Sequence, residues 1–169
     1  MRQWINDNAA LAAVALVVIV ALGVWVMRPS SASGFEQVYF WDIATGELVV
    51  MPSDTLSPAT SGNGLAVQAV VMACGSCDDE SNHFVARLEM YTEEARQLVQ
   101  QMAANRPANE DEARRIEQQI AAGRMVAEKP SSGGEPQWVS MMNPAGAMLL
   151  STPAGKCGGA AVETCTPGK

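Results

Sequence analysis

One apolar stretch, residues 9–27 (AALAAVALVVIVALGVWVM), constrains this chain more than any other feature. It carries no charge and no hydrogen-bonding side chain except the indole of Trp25. As a helix rising ~1.5 Å per residue it would be about 28 Å long, which matches one hydrocarbon core. A core helix on a small domain needs a polar face, and this stretch has none. It therefore predicts a single-pass membrane anchor.

A cleaved signal peptide is the alternative, with residues 30–32 as the cleavage site. Its apolar region would be shorter, about 7–15 residues, so the retained signal anchor is favoured. Trp4 and Trp25 lie near the two ends of the stretch, where indoles favour the membrane interface. One arginine precedes the stretch (Arg2) and one follows it (Arg28), so the charge bias across it is nearly a tie. The terminal amine favours an N-inside orientation, which places the following domain outside the cytoplasm.

The chain divides into a short tail (1–8), the anchor (9–27), a linker (28–36) and one soluble domain (37–169). The linker contains PSSASG, a composition typical of flexible connectors. The formal net charge is −7, and because residues 1–34 contribute +1, the remainder carries −8. Such an acidic domain repels phosphate backbones, so the sequence predicts no nucleic-acid partner.

The sequence pattern of the domain indicates strands in its first part and helices in its later part. Residues 38–41 and 48–51 predict a hairpin, in which Gly46 supplies a positive φ and Asp42 or Thr45 bonds the turn backbone. Its aromatic side chains predict core packing rather than a ligand platform. Residues 52–63 predict a surface loop. The apolar run 64–73 predicts a central strand buried on both faces.

Residues 83–91 fit either a half-buried strand or part of a long helix beginning near residue 81. The strand is favoured because Thr92, followed by two glutamates, is a good helix start. A second helix is predicted from the cap Asn109 to Gly123, with Glu112 reaching back to the cap. Residues 125–127 predict a short strand. Residues 138–142 and 147–150 predict a second hairpin, which gives an α+β fold with two helices.

The four cysteines, Cys74, Cys77, Cys157 and Cys165, are the only feature with chemical specificity. Two disulfides would explain how the C-terminal tail (151–169), which has little apolar content, becomes ordered, if the domain faces an oxidising compartment. A structural four-thiolate zinc site is the alternative for a reducing compartment, with His83 able to replace one thiolate. A polar-loop histidine is nevertheless more often exposed. The orientation of the anchor therefore decides whether the four cysteines form disulfides or bind zinc.

The segment Cys74-Gly75-Ser76-Cys77 follows the predicted central strand and resembles the active motif of thioredoxin-like proteins. The resemblance covers only these residues and the strand before them. It implies thiol–disulfide exchange by Cys74 and Cys77. The acidic residues that follow, Asp78 to Glu80, would raise a neighbouring thiol's pKa and so oppose this chemistry.

No complete catalytic constellation is present, since any Ser–His–Asp set would have to use the single His83. The sequence therefore predicts a membrane-anchored, non-enzymatic binding or structural module. Its expected partners are the membrane, through residues 9–27, and other proteins. A membrane-tethered thiol–disulfide oxidoreductase is the alternative, and structural zinc is the only cofactor that the sequence suggests.

Overall fold

An antiparallel sheet of eight strands with three α-helices makes up the part of the chain described by the computed structural model, residues 37–62, 64–131, 134–151 and 153–168. The α+β class is confirmed. The strands are β1 (Gln37–Asp42), β2 (Leu48–Pro52), β3 (Ala59–Ser61), β4 (Gly64–Cys74), β5 (His83–Tyr91), β6 (Arg124–Ala127), β7 (Val139–Ser140) and β8 (Val162–Thr164). The helices are α1 (Glu93–Ala104), α2 (Glu110–Ala122) and α3 (Pro144–Ser151), followed by a helical turn at Pro153–Lys156.

The predicted anchor (9–27), with the tail before it and the linker (28–36) after it, lies outside the described residues. Within residues 37–62, 64–131, 134–151 and 153–168, no helix has both the length and the apolar content needed to cross a membrane.

Strand β4 is the centre of the sheet, as the apolar run predicted. The sheet order is β2-β1-β4-β5-β6-β7, and β3 and β8 also pair with β4. Because β1 and β3 both oppose Ala66, they lie on opposite edges of β4. Because β5 and β8 both oppose Met72, they too lie on opposite edges. The strand thus has two partners along each edge.

One side of β4 forms the main core, which we call the core side. Its alternate residues pack with Trp41 and Leu88 into a buried cluster, and these residues are Val67, Ala69, Val71 and Ala73. The residues between them from Gln68 onward, namely Gln68, Val70, Met72 and Cys74, are only half-buried. The prediction that β4 is buried on both faces is therefore wrong for most of its length.

The first hairpin forms as predicted, with Trp41 opposite Leu48 in β2. Gly46 has a φ of 72°, a conformation that side chains with a Cβ rarely adopt. The carboxylate of Asp42 accepts the backbone N–H groups of Ala44 and Thr45, both at 2.9 Å. These bonds fix the turn that joins β1 to β2.

Residues 83–91 form a strand, which confirms the favoured alternative. β5 pairs with β4 on one edge and β6 on the other. Thr92 then caps α1, its hydroxyl accepting the N–H of Ala95 at 3.3 Å. Asn109 caps α2 by accepting the N–H of Glu112 at 2.8 Å, while the Glu112 carboxylate reaches back to the N–H of Ala108. Both helix starts were therefore predicted correctly.

The second predicted hairpin is wrong. Residues 139–140 do form β7, but residues 147–150 belong to α3. Asn143 caps this helix by accepting the N–H of Ala145, and Pro144 occupies the first helical position, where its fixed φ is favourable. The predicted loop 52–63 also needs correction, because it contains β3 and the buried Ser57.

Candidate functional site

The four cysteines come together at the carboxyl end of β4. Cys74 is its last residue, and Gly75, with a φ of 104°, turns the chain toward Cys77. The tail approaches the same end because β8 pairs with residues 72–74. This pairing continues outside the strand, since the N–H of Gly75 donates to Ala161 O at 2.8 Å and that of Cys165 to Val71 O at 2.9 Å.

The cysteines form two disulfides between strand end and tail. Cys74 is bonded to Cys157 with an Sγ–Sγ distance of 2.02 Å, and Cys77 to Cys165 with 2.03 Å. Cys74 and Cys77 are therefore not bonded to each other. With all four sulfurs in bridges, none is free to bind zinc. The four-thiolate site stays a prediction for a reducing compartment.

The two bridges differ in their surroundings. Cys77 and Cys165 are 6 % and 4 % exposed and belong to the cluster on the core side of the sheet. Cys74 and Cys157 are half-buried, and alternation along β4 directs Cys74 to the other side. The C-terminal tail thus passes from one side of the sheet to the other around β8. A disulfide attaches it on each side.

His83, the first residue of β5, lies beside the buried bridge. Its Nε2 is 2.9 Å from the carbonyl oxygen of Cys77. Because a carbonyl only accepts hydrogen bonds, Nε2 carries the proton in this contact. The ring is half-buried, so the expectation of an exposed loop histidine is wrong. The ligand atoms of His83, Cys77 and Cys165 all lie within 4.8 Å of one another.

The acidic loop between Cys77 and His83 is organised by its own hydrogen bonds. Asp79 accepts the backbone N–H and the hydroxyl of Ser81 and the side-chain amide of Asn82. The Ser81 hydroxyl, followed by the Ser81 backbone N–H, lowers the pKa of Asp79 below its usual value. Asp79 is therefore a capping residue for a single 3₁₀ turn at Glu80–Asn82.

A second polar cluster lies on strand β5 and was not predicted. Glu89, 8 % exposed, accepts from Arg87 Nε at 2.7 Å and from a terminal nitrogen of Arg124 at 2.9 Å. The alternation of Arg87 and Glu89 along a strand is a visible sequence signal, because both side chains then share one face. Arg124 comes from β6 and gives no such signal. Both carboxylate oxygens are paired, which indicates a structural role.

The aromatic strand β1 is a core element, in agreement with its prediction. Phe40 is fully buried and Trp41 is 8 % exposed. The Nζ of Lys129 lies 4.4 Å from the centroid of the Trp41 ring, within the range of a cation–π contact. The segment after β6 therefore lies over the edge of the core at Trp41.

Comparison of the chain with protein-family models, with curated proteins and with solved structures finds no match.

Proposed function

We propose that the chain is a membrane-anchored, non-enzymatic structural or protein-binding module, whose domain is stabilised outside the cytoplasm by two disulfides. The proposal is supported by the two disulfides that attach the C-terminal tail to the end of β4. The two bridges span sequence separations of 83 and 88 residues. Bridges that close loops this long restrict the unfolded chain strongly, which is how disulfides stabilise small exported domains.

The same bridges support the compartment in this proposal. Disulfides persist in oxidising surroundings and are rare in the cytosol. An extracytoplasmic domain agrees with the orientation expected for the anchor at residues 9–27. In this proposal the anchor and the linker (28–36) hold the acidic domain near the membrane, where its expected partners are other proteins.

A thiol–disulfide oxidoreductase using Cys74 and Cys77 is the second candidate, and its support is the motif alone. Exchange of the thioredoxin type requires these two sulfurs to bond each other reversibly and a helix to follow the motif. Here each is bonded to a different tail cysteine, and an acidic loop follows Cys77. This arrangement favours the structural function.

Replacing Cys77 alone separates the two candidates. We expect the full-length Cys77→Ser chain to lose protease resistance, because Cys165 is left unpaired and the core-side bridge is lost. Ser76→Ala, at the exposed neighbouring position, is the matched control and should stay resistant. A Cys77→Ser domain as resistant as the wild type would contradict the structural proposal and favour redox exchange.

Thiol labelling in intact cells tests the compartment. A membrane-impermeant maleimide should label the wild-type chain only after treatment with an impermeant reductant, since all four cysteines are bonded. Labelling without reduction, or labelling that requires permeabilised cells, would contradict an oxidised extracytoplasmic domain.

A further inference from the structure

The buried bridge has a third potential ligand beside it. One imidazole nitrogen of His83 and the sulfurs of Cys77 and Cys165 lie within 4.8 Å of one another. Zinc binds thiolate sulfur at about 2.3 Å and imidazole nitrogen at about 2.0–2.1 Å. In a tetrahedral shell, two such ligand atoms lie about 3.5–3.8 Å apart. The three atoms are already within 4.8 Å of one another. The imidazole nitrogen therefore has to approach by at most about 1.3 Å, and the two sulfurs, now bonded to each other, have to separate.

The contact with Cys77 fixes the tautomer of the imidazole. Since Nε2 donates to the Cys77 carbonyl at 2.9 Å, the lone pair of the neutral ring is on Nδ1. A histidine that ligates a metal usually donates its other ring N–H to a carboxylate or a backbone carbonyl, which fixes the tautomer. This second observation is independent of the distances among the ligand atoms.

The backbone would keep the three residues together without the sulfur–sulfur bond. His83 is in register with Ala73 of β4, and the N–H of Cys165 donates to Val71 O. Cys77 N–H donates to the Glu163 carboxylate at 3.2 Å. These contacts come from three separate elements and contain no sulfur. In the folded chain these contacts hold the three residues near one another, which lowers the ordering cost of metal binding.

We propose that reduction of the Cys77–Cys165 disulfide converts this cluster into a binding site for a thiophilic divalent metal ion such as Zn²⁺. A dithiol reductant supplies two electrons and two protons, so the bridge becomes two thiols and the reductant becomes a disulfide. The ion then binds both sulfurs and His83, and the two thiol protons are released. Water completes a tetrahedral shell.

The surroundings suit a cation. Both cysteines are almost fully buried, which limits competition from water, and the adjoining loop carries Asp78, Asp79 and Glu80. The inference goes beyond the proposed function, because the oxidised bridge is the structural form and the metal site belongs to the reduced form. It also differs from the four-thiolate site, since Cys74 and Cys157 take no part.

Cobalt binding tests the site. The full-length chain carrying Cys74→Ser and Cys157→Ser keeps only the relevant pair. After reduction in detergent without oxygen, we expect it to bind one Co²⁺ per chain, with thiolate-to-cobalt charge-transfer absorption and tetrahedral d–d bands. Zn²⁺ should displace the Co²⁺. The oxidised form of the same variant should show neither absorption.

Two further variants control this experiment. The reduced chain carrying Cys77→Ser and Cys165→Ser retains two cysteines and should bind Co²⁺ at least about 100-fold more weakly. His83→Ala in the first background should weaken binding at least about 10-fold, since one of three ligands is lost. If reduction unfolds the first variant, Zn²⁺ should restore its circular dichroism spectrum.

Three results would overturn the proposal: equal cobalt affinity in the two cysteine-pair variants, unchanged affinity on His83→Ala, or a reduced chain that stays unfolded with Zn²⁺. None of these depends on the compartment or on the protease resistance of the oxidised domain. The metal proposal and the proposed function can therefore fail separately.

Discussion

At the scale of single residues, Asp42 shows how a polar group is held inside this domain. Its side chain is fully buried at the end of β1 and accepts the Ser61 hydroxyl from β3. That bond, followed by the N–H groups of Thr45 and Ala44, lowers the pKa of Asp42 despite the opposing effect of burial. The ionised carboxylate joins the turn to the segment that precedes β4.

The depressed pKa of Asp42 predicts how stability depends on pH. The folded state favours the ionised form, so its contribution is complete above the unfolded pKa of about 3.9 and disappears as pH falls through the folded pKa. Asp42→Asn keeps the shape and removes the charge. We expect it to be less stable than wild type at pH 6 and to lose less stability on acidification, as measured by urea unfolding between pH 6 and pH 2.

Asp54→Asn is the control for this prediction, because it makes the same chemical change at an exposed position. It should follow the wild-type curve. If Asp42→Asn lost stability on acidification as steeply as the wild type, the carboxylate of Asp42 would not be a source of the pH dependence.

At the scale of elements, the helix pair α1 and α2 depends on one close approach. α1 buries only Ala95, and α2 contains no buried residue. The pair is packed at Gly123, just after α2. A Cβ at Gly123 would lie 2.4 Å from the Cβ of Ala95 and 2.8 Å from the Oγ1 of Thr92. Half-buried Ala113, Ile116 and Ile120 line one face of α2, and Gly123 makes the tightest approach to α1.

Gly123→Ala should therefore destabilise the domain, by about 1–3 kcal/mol, because overpacking must shift the start of α1 or the end of α2. Gly62→Ala is the matched control, since a Cβ there meets no heavy atom within 4 Å. It should change stability by less than about 0.5 kcal/mol. Chemical denaturation measures both. Equal effects of the two substitutions would show that the approach of Gly123 to Ala95 is not tight in solution.

The elements also show which sequence signals were sufficient to predict secondary structure. The first hairpin and the starts of α1 and α2 were predictable, because Asp42, Thr92 and Asn109 accept hydrogen bonds from residues two or three positions away. Gly46 adds the positive φ that the turn needs. The hairpin predicted at α3 is wrong because an apolar run around a Gly-containing turn fits both a hairpin and a helix. The local signal for the helix was the cap Asn143 followed by Pro144.

At the scale of the whole molecule, contacts between residues far apart in the chain leave no local signal in the sequence. Four cysteines allow three pairings, and spacing does not choose among them. Arg124 reaches Glu89 from another strand, 35 residues along the chain. His83 is half-buried beside a bridge that joins the end of β4 to the C-terminal tail. Each of these contacts depends on the assembled sheet, whereas sequence patterns report mainly local structure.

The two disulfides should stabilise the domain in a coupled way. Either bridge alone closes a loop of more than 80 residues, worth about 4–5 kcal/mol in the loop-entropy picture. Once one is present, the other closes a ring of only about a dozen residues, worth about 3 kcal/mol. Removing one bridge should therefore cost about 3 kcal/mol, and removing both about 7–8 kcal/mol, which exceeds the sum.

Denaturation of variants with paired Cys→Ala substitutions measures this coupling. Since small domains have a total stability of about 5–15 kcal/mol, the variant without bridges should be marginally stable or unfolded. A variant without bridges that is as stable as either single-bridge variant would contradict the prediction. The Cys77–Cys165 pair should be the costlier one to remove, because its sulfurs also fill the core.

The four partners of β4 have a consequence for the order of events during synthesis. The edge that β8 covers stays open until the chain has grown by 88 residues from Cys77 to Cys165. At about 5–20 residues per second, this interval is on the order of 4–18 s. For that time an apolar strand presents unpaired N–H and C=O groups to any neighbouring chain. Chaperone protection of this one edge would therefore matter more for yield than protection of the hairpin, which is complete soon after it is made.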